Sequence, residues 1–112
     1  MAKRPHDALC SYKEVSGYGL VSRGVADLRA GRESIPAFLV ALAPGRLGEL
    51  GIEVPPLWFD DAPDRLYVAV EAVVGDAAAH SHYNALRRRL VSFMHAAAVI
   101  RRSEELPIMQ VM

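Results

Sequence analysis

Residues 76–102 read DAAAHSHYNALRRRLVSFMHAAAVIRR, and this stretch decides the fold of the chain. Six of its apolar residues recur at alternating spacings of four and three: Ala79, Tyr83, Leu86, Leu90, Phe93 and Ala97. An α-helix has 3.6 residues per turn, so this spacing places all six on one face. The stretch is therefore predicted to be one long amphipathic helix whose apolar stripe packs on the core.

Two shorter helices are predicted to form a hairpin before it. Residues 18–30 carry apolar side chains at helical spacing, with Gly24 as a weak point, and Gly31 is suited to end the helix. Ser34 can cap the start of a second helix, because its hydroxyl can accept from the first turn, and Pro44 is expected to stop that helix. The linker of four residues, 31–34, favours an antiparallel pair.

The middle of the chain is predicted to contain a short helix, an irregular segment and a further helix. Residues 44–50 can form a helical turn, and residues 52–59 contain two adjacent prolines that exclude a helix and a central strand. We expect that segment to cross the core and to bury Trp58 and Phe59. Asp64 is a candidate N-cap for residues 65–74.

Residues 65–74 are rich in valine and could form either a strand or a helix. A strand would need a partner strand, and the sequence offers no convincing one. Leu66, Val70 and Val73 would share one face of a helix, so the helix is favoured.

These elements predict an all-α protein, a compact bundle of four or five helices with the long C-terminal helix at its centre. Residues 1–112 are interpreted as a single helical domain. Residues 1–17 show no sustained period and are expected to form a loose arm, with room for one short helix. Residues 106–112 form an apolar tail that must cover something, either on its own chain or on another molecule.

Composition indicates a soluble globular protein, since 52% of the 112 residues are hydrophobic and 23% are charged. The sequence shows no signal-peptide pattern and no apolar run of membrane-spanning length. A single cysteine, Cys10, fits a reducing compartment, so the expected location is cytoplasmic. Arginine far exceeds lysine, which is typical of a GC-rich bacterial genome.

The formal net charge is zero, but the charges are segregated along the chain. Residues 1–43 carry +2, residues 44–76 carry −5 and residues 77–112 carry +3. Nucleic-acid-binding domains usually have a clear basic excess, so the balance argues against DNA or RNA as partner. In the folded chain, the acidic middle could face the basic last helix.

Three histidines of the long helix raise the question of a metal site or a small enzyme. His80 and His82 are two residues apart, so on a helix they point about 200° apart instead of converging on one ion. His95 lies on the side of the helix that carries Arg88 and Ser92. The sequence thus predicts no catalytic residue, no metal site and no cofactor, although a metal protein or small enzyme using His80, His82 and His95 stays open as an alternative.

The aspartates of residues 60–64 match the bare D-D-x-x-D spacing of some magnesium-binding prenyl-transferring enzymes. Those carboxylates must line a helix in a large cavity, whereas Pro63 disfavours a helix at Ala62 and the chain is too small. We interpret the segment as a solvated turn.

The outer side of the long helix is less polar than an amphipathic helix requires, which suggests a second contact for it. The candidates for an interaction surface are Arg88, Val91, Ser92, His95 and Val99, together with Ile108, Met109 and Met112 of the tail. The expected function is a small non-catalytic interaction or regulatory module, such as an adaptor, antitoxin or immunity-type protein. Its partner is an unknown protein or a second copy in a homodimer.

One further alternative is a DNA-binding regulator that uses Arg87, Arg88 and Arg89. Three consecutive residues face three directions on a helix, which weakens that alternative.

Overall fold

The computed structural model of the protein describes residues 9–105, with side chains for residues 9–103. Within that range the chain forms helices and no strand. The elements are a 3₁₀ turn at Leu9–Tyr12 and the helices α1 (Tyr18–Arg29), α2 (Ile35–Val40), α3 (Pro44–Glu49), α4 (Ala62–Val74) and α5 (Asp76–Glu105). The prediction of a compact all-α fold with a long C-terminal helix is confirmed.

The hairpin of α1 and α2 is closed by Ser34, as predicted. Its side chain accepts a hydrogen bond from the Ala37 backbone N–H at 3.1 Å, in the first turn of α2. The expectation that α2 runs to Pro44 is wrong, because α2 ends at Val40 and the chain then tightens. The Leu42 N–H donates to the Leu39 carbonyl, three residues back, which is the tighter 3₁₀ pattern.

At Gly24 the backbones of α1 and α2 approach each other closely. A Cβ placed on Gly24 would lie 2.3 Å from the Pro36 carbonyl oxygen and 2.5 Å from Cγ2 of Val40. Only a residue without a side chain lets the two backbones cross at this distance. Glycine at this position therefore sets the spacing of the hairpin.

The segment between α3 and α4 is irregular, as predicted, and its Ile52 is fully buried. The expectation that Trp58 is buried is wrong, since 44% of this residue is exposed. Its indole Nε1–H donates to the Leu28 carbonyl at 3.4 Å, so the ring lies beside the end of α1 with one side toward solvent. Phe59 is half-buried and packs edge-on against Phe38 at 5.3 Å.

Residues 65–74 are helical, as favoured, but their helix, α4, begins at Ala62, earlier than predicted. Its N-cap is Asp61, with a positive φ of 60°, so the assignment of that role to Asp64 is wrong. The reason is that Pro63 falls in the first turn, where a missing N–H costs nothing.

The buried face of α4 also differs from the prediction. It contains Leu66 and Val70, whereas Val73 is 72% exposed. The inward series has a spacing of four, from Ala62 through Leu66 and Val70 to the half-buried Val74. Because four residues exceed one helical turn, the stripe drifts away from Val73.

Helix α5 buries the predicted stripe against the core. Ala79, Leu90, Phe93 and Ala97 are buried, and Tyr83 and Leu86 are half-buried. The predicted stripe did not include Met94, which is 3% exposed and widens the buried face of α5. Although α5 is long, no helix among the described residues is apolar enough over its length to cross a membrane.

The expectation of a loose N-terminal arm is wrong for residues 9–17. Tyr12 is 1% exposed, and its ring packs edge-on against Phe93 at 6.0 Å. Its hydroxyl donates to the Leu50 carbonyl at 2.6 Å, and Arg101 Nη1 donates to the same oxygen at 3.0 Å. Residues 1–8 of the arm and the tail 106–112 lie outside the described residues.

Candidate functional site

The predicted interaction residues of α5 lie together on its exposed side. Arg88, Val91, Ser92, His95 and Val99 are all exposed, and their spacing of three and four places them along one edge of the helix. We call these five residues the outer face. Val91 and Val99 are 41% and 61% exposed, so two branched apolar side chains face solvent between polar ones. The other candidates, Ile108, Met109 and Met112, lie outside the described residues.

A groove runs beside the outer face, between α5 and the start of α3. Its volume is about 540 Å³. Its apolar lining includes Leu42, Leu90 and Met94, and its charged lining consists of Arg46 and Arg87. We call it the cationic groove. Val91 belongs both to its lining and to the outer face, so the two form one continuous surface.

A smaller depression of about 380 Å³ extends the same surface around α5. It shares Arg87 and Val91 with the cationic groove and adds Asn84, Arg88 and Ser92. Both sides of the helix are therefore indented next to Arg87 and Val91. A partner with a convex surface could therefore contact Val91 from both depressions.

The arginines of this surface are not neutralised from within the described part of the chain. Arg46, Arg87 and Arg88 are exposed, and none forms an ion pair with a described side chain. The Arg87 guanidinium lies 5.7 Å from the centre of the Tyr83 ring, a cation–π contact that holds it beside the groove. Helix α4 of the acidic middle packs against α5, but no described carboxylate forms an ion pair with these three arginines.

The histidines do not assemble into a site. His80, His82 and His95 are all exposed, and His80 Nε2 lies 3.1 Å from the Asn84 amide nitrogen. Among the described residues, no group of three or more histidine, cysteine or acidic side chains could hold a metal ion. The alternative of a metal protein or small enzyme stays a prediction without a geometric argument in its favour.

The aspartates of residues 60–64 surround the start of α4 and are all exposed. Asp61 and Asp64 line a separate depression with Val68, on the side of α4 that faces away from the core. Cys10 is exposed and is not part of a disulfide.

Sequence reasoning missed Asp27, a buried carboxylate that is 1% exposed. Its Oδ2 accepts from the Ser34 hydroxyl at 2.7 Å, and its Oδ1 accepts from Arg32 Nε at 3.0 Å. Arg32 Nη2 lies 2.9 Å from Oδ1, and Arg23 Nε lies 3.4 Å from Oδ2. The only sequence signal was an acidic residue shortly before a loop that contains both an arginine and a serine.

The hydrogen bond from Ser34 is the main reason that the pKa of Asp27 lies below its ordinary value. Burial acts in the opposite direction, and the Arg32 and Arg23 side chains add to the lowering. The Ser34 hydroxyl donates to Asp27 while it accepts from the first turn of α2, so the carboxylate orients the cap. This cluster holds the hairpin together and lies apart from the residues that line the cationic groove.

No family model matches the chain, and no curated protein or solved structure is detectably similar to it.

Proposed function

We propose that the chain is a small protein–protein interaction or regulatory module without catalytic activity, of the adaptor, antitoxin or immunity type. We place it in the cytoplasm of a bacterial cell. One observation supports the proposal above the others. Arg46, Arg87 and Arg88, which have no ion-pair partner among the described side chains, surround an apolar groove that continues into exposed valines.

The chemistry of this surface indicates the kind of protein that would bind it. Guanidinium groups bind carboxylates through paired, charge-assisted hydrogen bonds, and arginine is enriched among residues that dominate binding energy. Burial of Val91, which is 41% exposed, would add an apolar contribution. The partner is therefore expected to present carboxylates around an apolar protrusion, and complementary charge would speed the encounter.

The test is copurification with tagged protein from the native host, compared between matched variants. The double variant Arg88→Glu and Val91→Asp reverses one charge and places another on the outer face. The control is Arg29→Glu, which reverses an exposed arginine in the last turn of α1 and leaves the groove intact. We expect the partner to copurify with wild type and with the control. The amount of copurified partner should fall at least about tenfold with the double variant.

Salt provides an independent check of the same contact. Because ion pairs on exposed surfaces are screened, about 0.5 M salt should release much of the partner. A partner retained equally by the double variant and by the control would contradict this assignment of the surface. A chain that captures nothing specific would contradict the function itself.

A DNA-binding regulator is the second candidate, and one observation favours it. Arg87, Arg88 and Arg89 are all exposed, and none pairs with a described carboxylate. Fluorescence anisotropy with labelled duplex and single-stranded DNA would show binding at low salt that falls steeply as salt is added. No binding to either probe at low salt would remove this candidate.

A further inference from the structure

The outward side of α4 carries chemistry opposite to that of the cationic groove. Asp61, Asp64, Val68 and Ala72 are exposed and follow one another at spacings of three and four, so they share one helix face. We call these four residues the acidic face. Val68 is 63% exposed, and the depression beside it has a volume of about 540 Å³.

The one arginine of this depression is already engaged and leaves the acidic face uncompensated. Arg65 Nη1 lies 3.8 Å from Glu33 Oε2, and Arg65 Nε donates to the Asp60 carbonyl at 2.9 Å. Its guanidinium also lies 5.0 Å from the centre of the Phe59 ring. Asp61 and Asp64 form no ion pair with a described side chain.

We infer that the acidic face of one copy binds the cationic groove and outer face of a second copy. The inference rests on the proposed function in that it uses the same groove. The two helices match in order and spacing: Asp64 precedes Val68 by four residues, and Arg87 precedes Val91 by four. Laid parallel, they bring the carboxylate to the guanidinium and one valine to the other.

The contact is expected to be weak. The acidic face spans 12 residues, or roughly 18 Å of helix, and with a width of about 10 Å it covers far less than the 800 Å² per partner of a standard interface. A dissociation constant of roughly 10 µM to 1 mM is expected. Two copies that exchange the contact reciprocally would fall at the stronger end.

The experiment is sedimentation equilibrium of the full chain in about 20 mM and about 0.5 M salt, at protein concentrations up to roughly 1 mM. Wild type is expected to associate in low salt and to dissociate in high salt. Asp64→Arg and Arg87→Glu, each alone, are expected to stay monomeric, because like charges then meet across the contact.

An equimolar mixture of the two variants provides the decisive arm. In a mixed pair, the unchanged Asp64 of one variant meets the unchanged Arg87 of the other, and the introduced arginine meets the introduced glutamate. Association is therefore expected to return. Circular dichroism verifies that each variant is folded, and Asp64→Asn, which only removes the charge, replaces Asp64→Arg if that variant unfolds.

A wild-type chain that stays monomeric at roughly 1 mM in low salt would overturn the inference. So would a mixture that associates no more than its components. Neither outcome affects the proposed function, because Asp64 does not line the cationic groove and Asp64→Arg should still capture the partner protein. Self-association without capture of another protein would support the inference and count against the proposed binding of a different protein.

Discussion

Replacement of Gly24 by alanine tests the packing of the hairpin at a single atom. The added Cβ would lie 2.3 Å from the Pro36 carbonyl oxygen, and Cβ contacts below 3.0 Å are essentially never found. Helix α2 would therefore have to move away by about 0.7 Å at this crossing, in an interior that is packed without slack. The atom in the way is backbone, so no side-chain rotation can relieve the contact.

Two effects of opposite sign decide the result. Alanine is favoured over glycine inside a helix by about 1 kcal/mol, which would stabilise the variant. Overpacking of a tight core costs about 1–3 kcal/mol and sometimes more, and the contact with Pro36 lies at the severe end. We expect Gly24→Ala to lower the free energy of unfolding by about 2 kcal/mol or more in total.

Gly19→Ala is the matched control on the same helix. A Cβ on Gly19 meets nothing within 4 Å, so only the helix preference acts, and a gain of up to about 1 kcal/mol is expected. Urea unfolding followed by circular dichroism at 222 nm gives both values. A Gly24→Ala variant as stable as wild type, with Gly19→Ala also neutral or stabilising, would refute the close crossing of α1 and α2.

Three other substitutions test named hydrogen bonds. Tyr12→Phe removes the hydroxyl that donates to the Leu50 carbonyl but keeps the ring, and Arg101 still donates to that oxygen. Urea unfolding should therefore show a loss of only about 1 kcal/mol in the free energy of unfolding. A loss several times larger would contradict this account. Ser34→Ala removes the cap of α2 and should cost about 1–2 kcal/mol, whereas an unchanged midpoint would count against the capping role. Asp27→Asn should make stability less sensitive to acid. The pKa of Asp27 is lowered in the folded chain, so its contribution is present above the unfolded pKa of about 3.9 and is lost as pH falls through the folded pKa. Urea unfolding midpoints of variant and wild type are compared at pH 7 and through this acidic window. If both midpoints fall in parallel as the pH is lowered, Asp27 is not the source of the acid sensitivity.

Local signals in the sequence were enough for most of the helices. Ser34 and Pro44 mark helix starts through hydrogen bonding and a fixed φ, which depend only on neighbouring residues. The stripe of α5 was readable because its period continues over many turns. The surface position of Val91 and Val99 followed from the same period.

The errors occur where two distant segments meet. Gly24 looks like a defect in a helix until Pro36 is known to cross it. Asp27 looks like a surface residue until the loop folds back and supplies Ser34 as donor. Trp58 was expected to be buried in the core, but its hydrogen bond to the Leu28 carbonyl holds it at the C-terminal end of α1. None of these contacts leaves a periodic trace in a single sequence.

The cationic groove was only half visible from the sequence. Val91 on its α5 side was among the predicted interaction residues, whereas Arg46 and Arg87 were not. The structure places Arg46 beside Arg87 in the lining of the same groove. Spacing along one helix cannot show what the start of α3 contributes across a gap.

One carbonyl oxygen connects the early, middle and late parts of the described chain. Leu50 accepts from Tyr12 and from Arg101, which are 38 and 51 residues away along the sequence. Each bond requires closure of its own long loop, so this corner should become ordered late in folding. In the native state, fraying of one end leaves the other donor bonded to Leu50, so amide protons near Leu50 should exchange more slowly than those of either end.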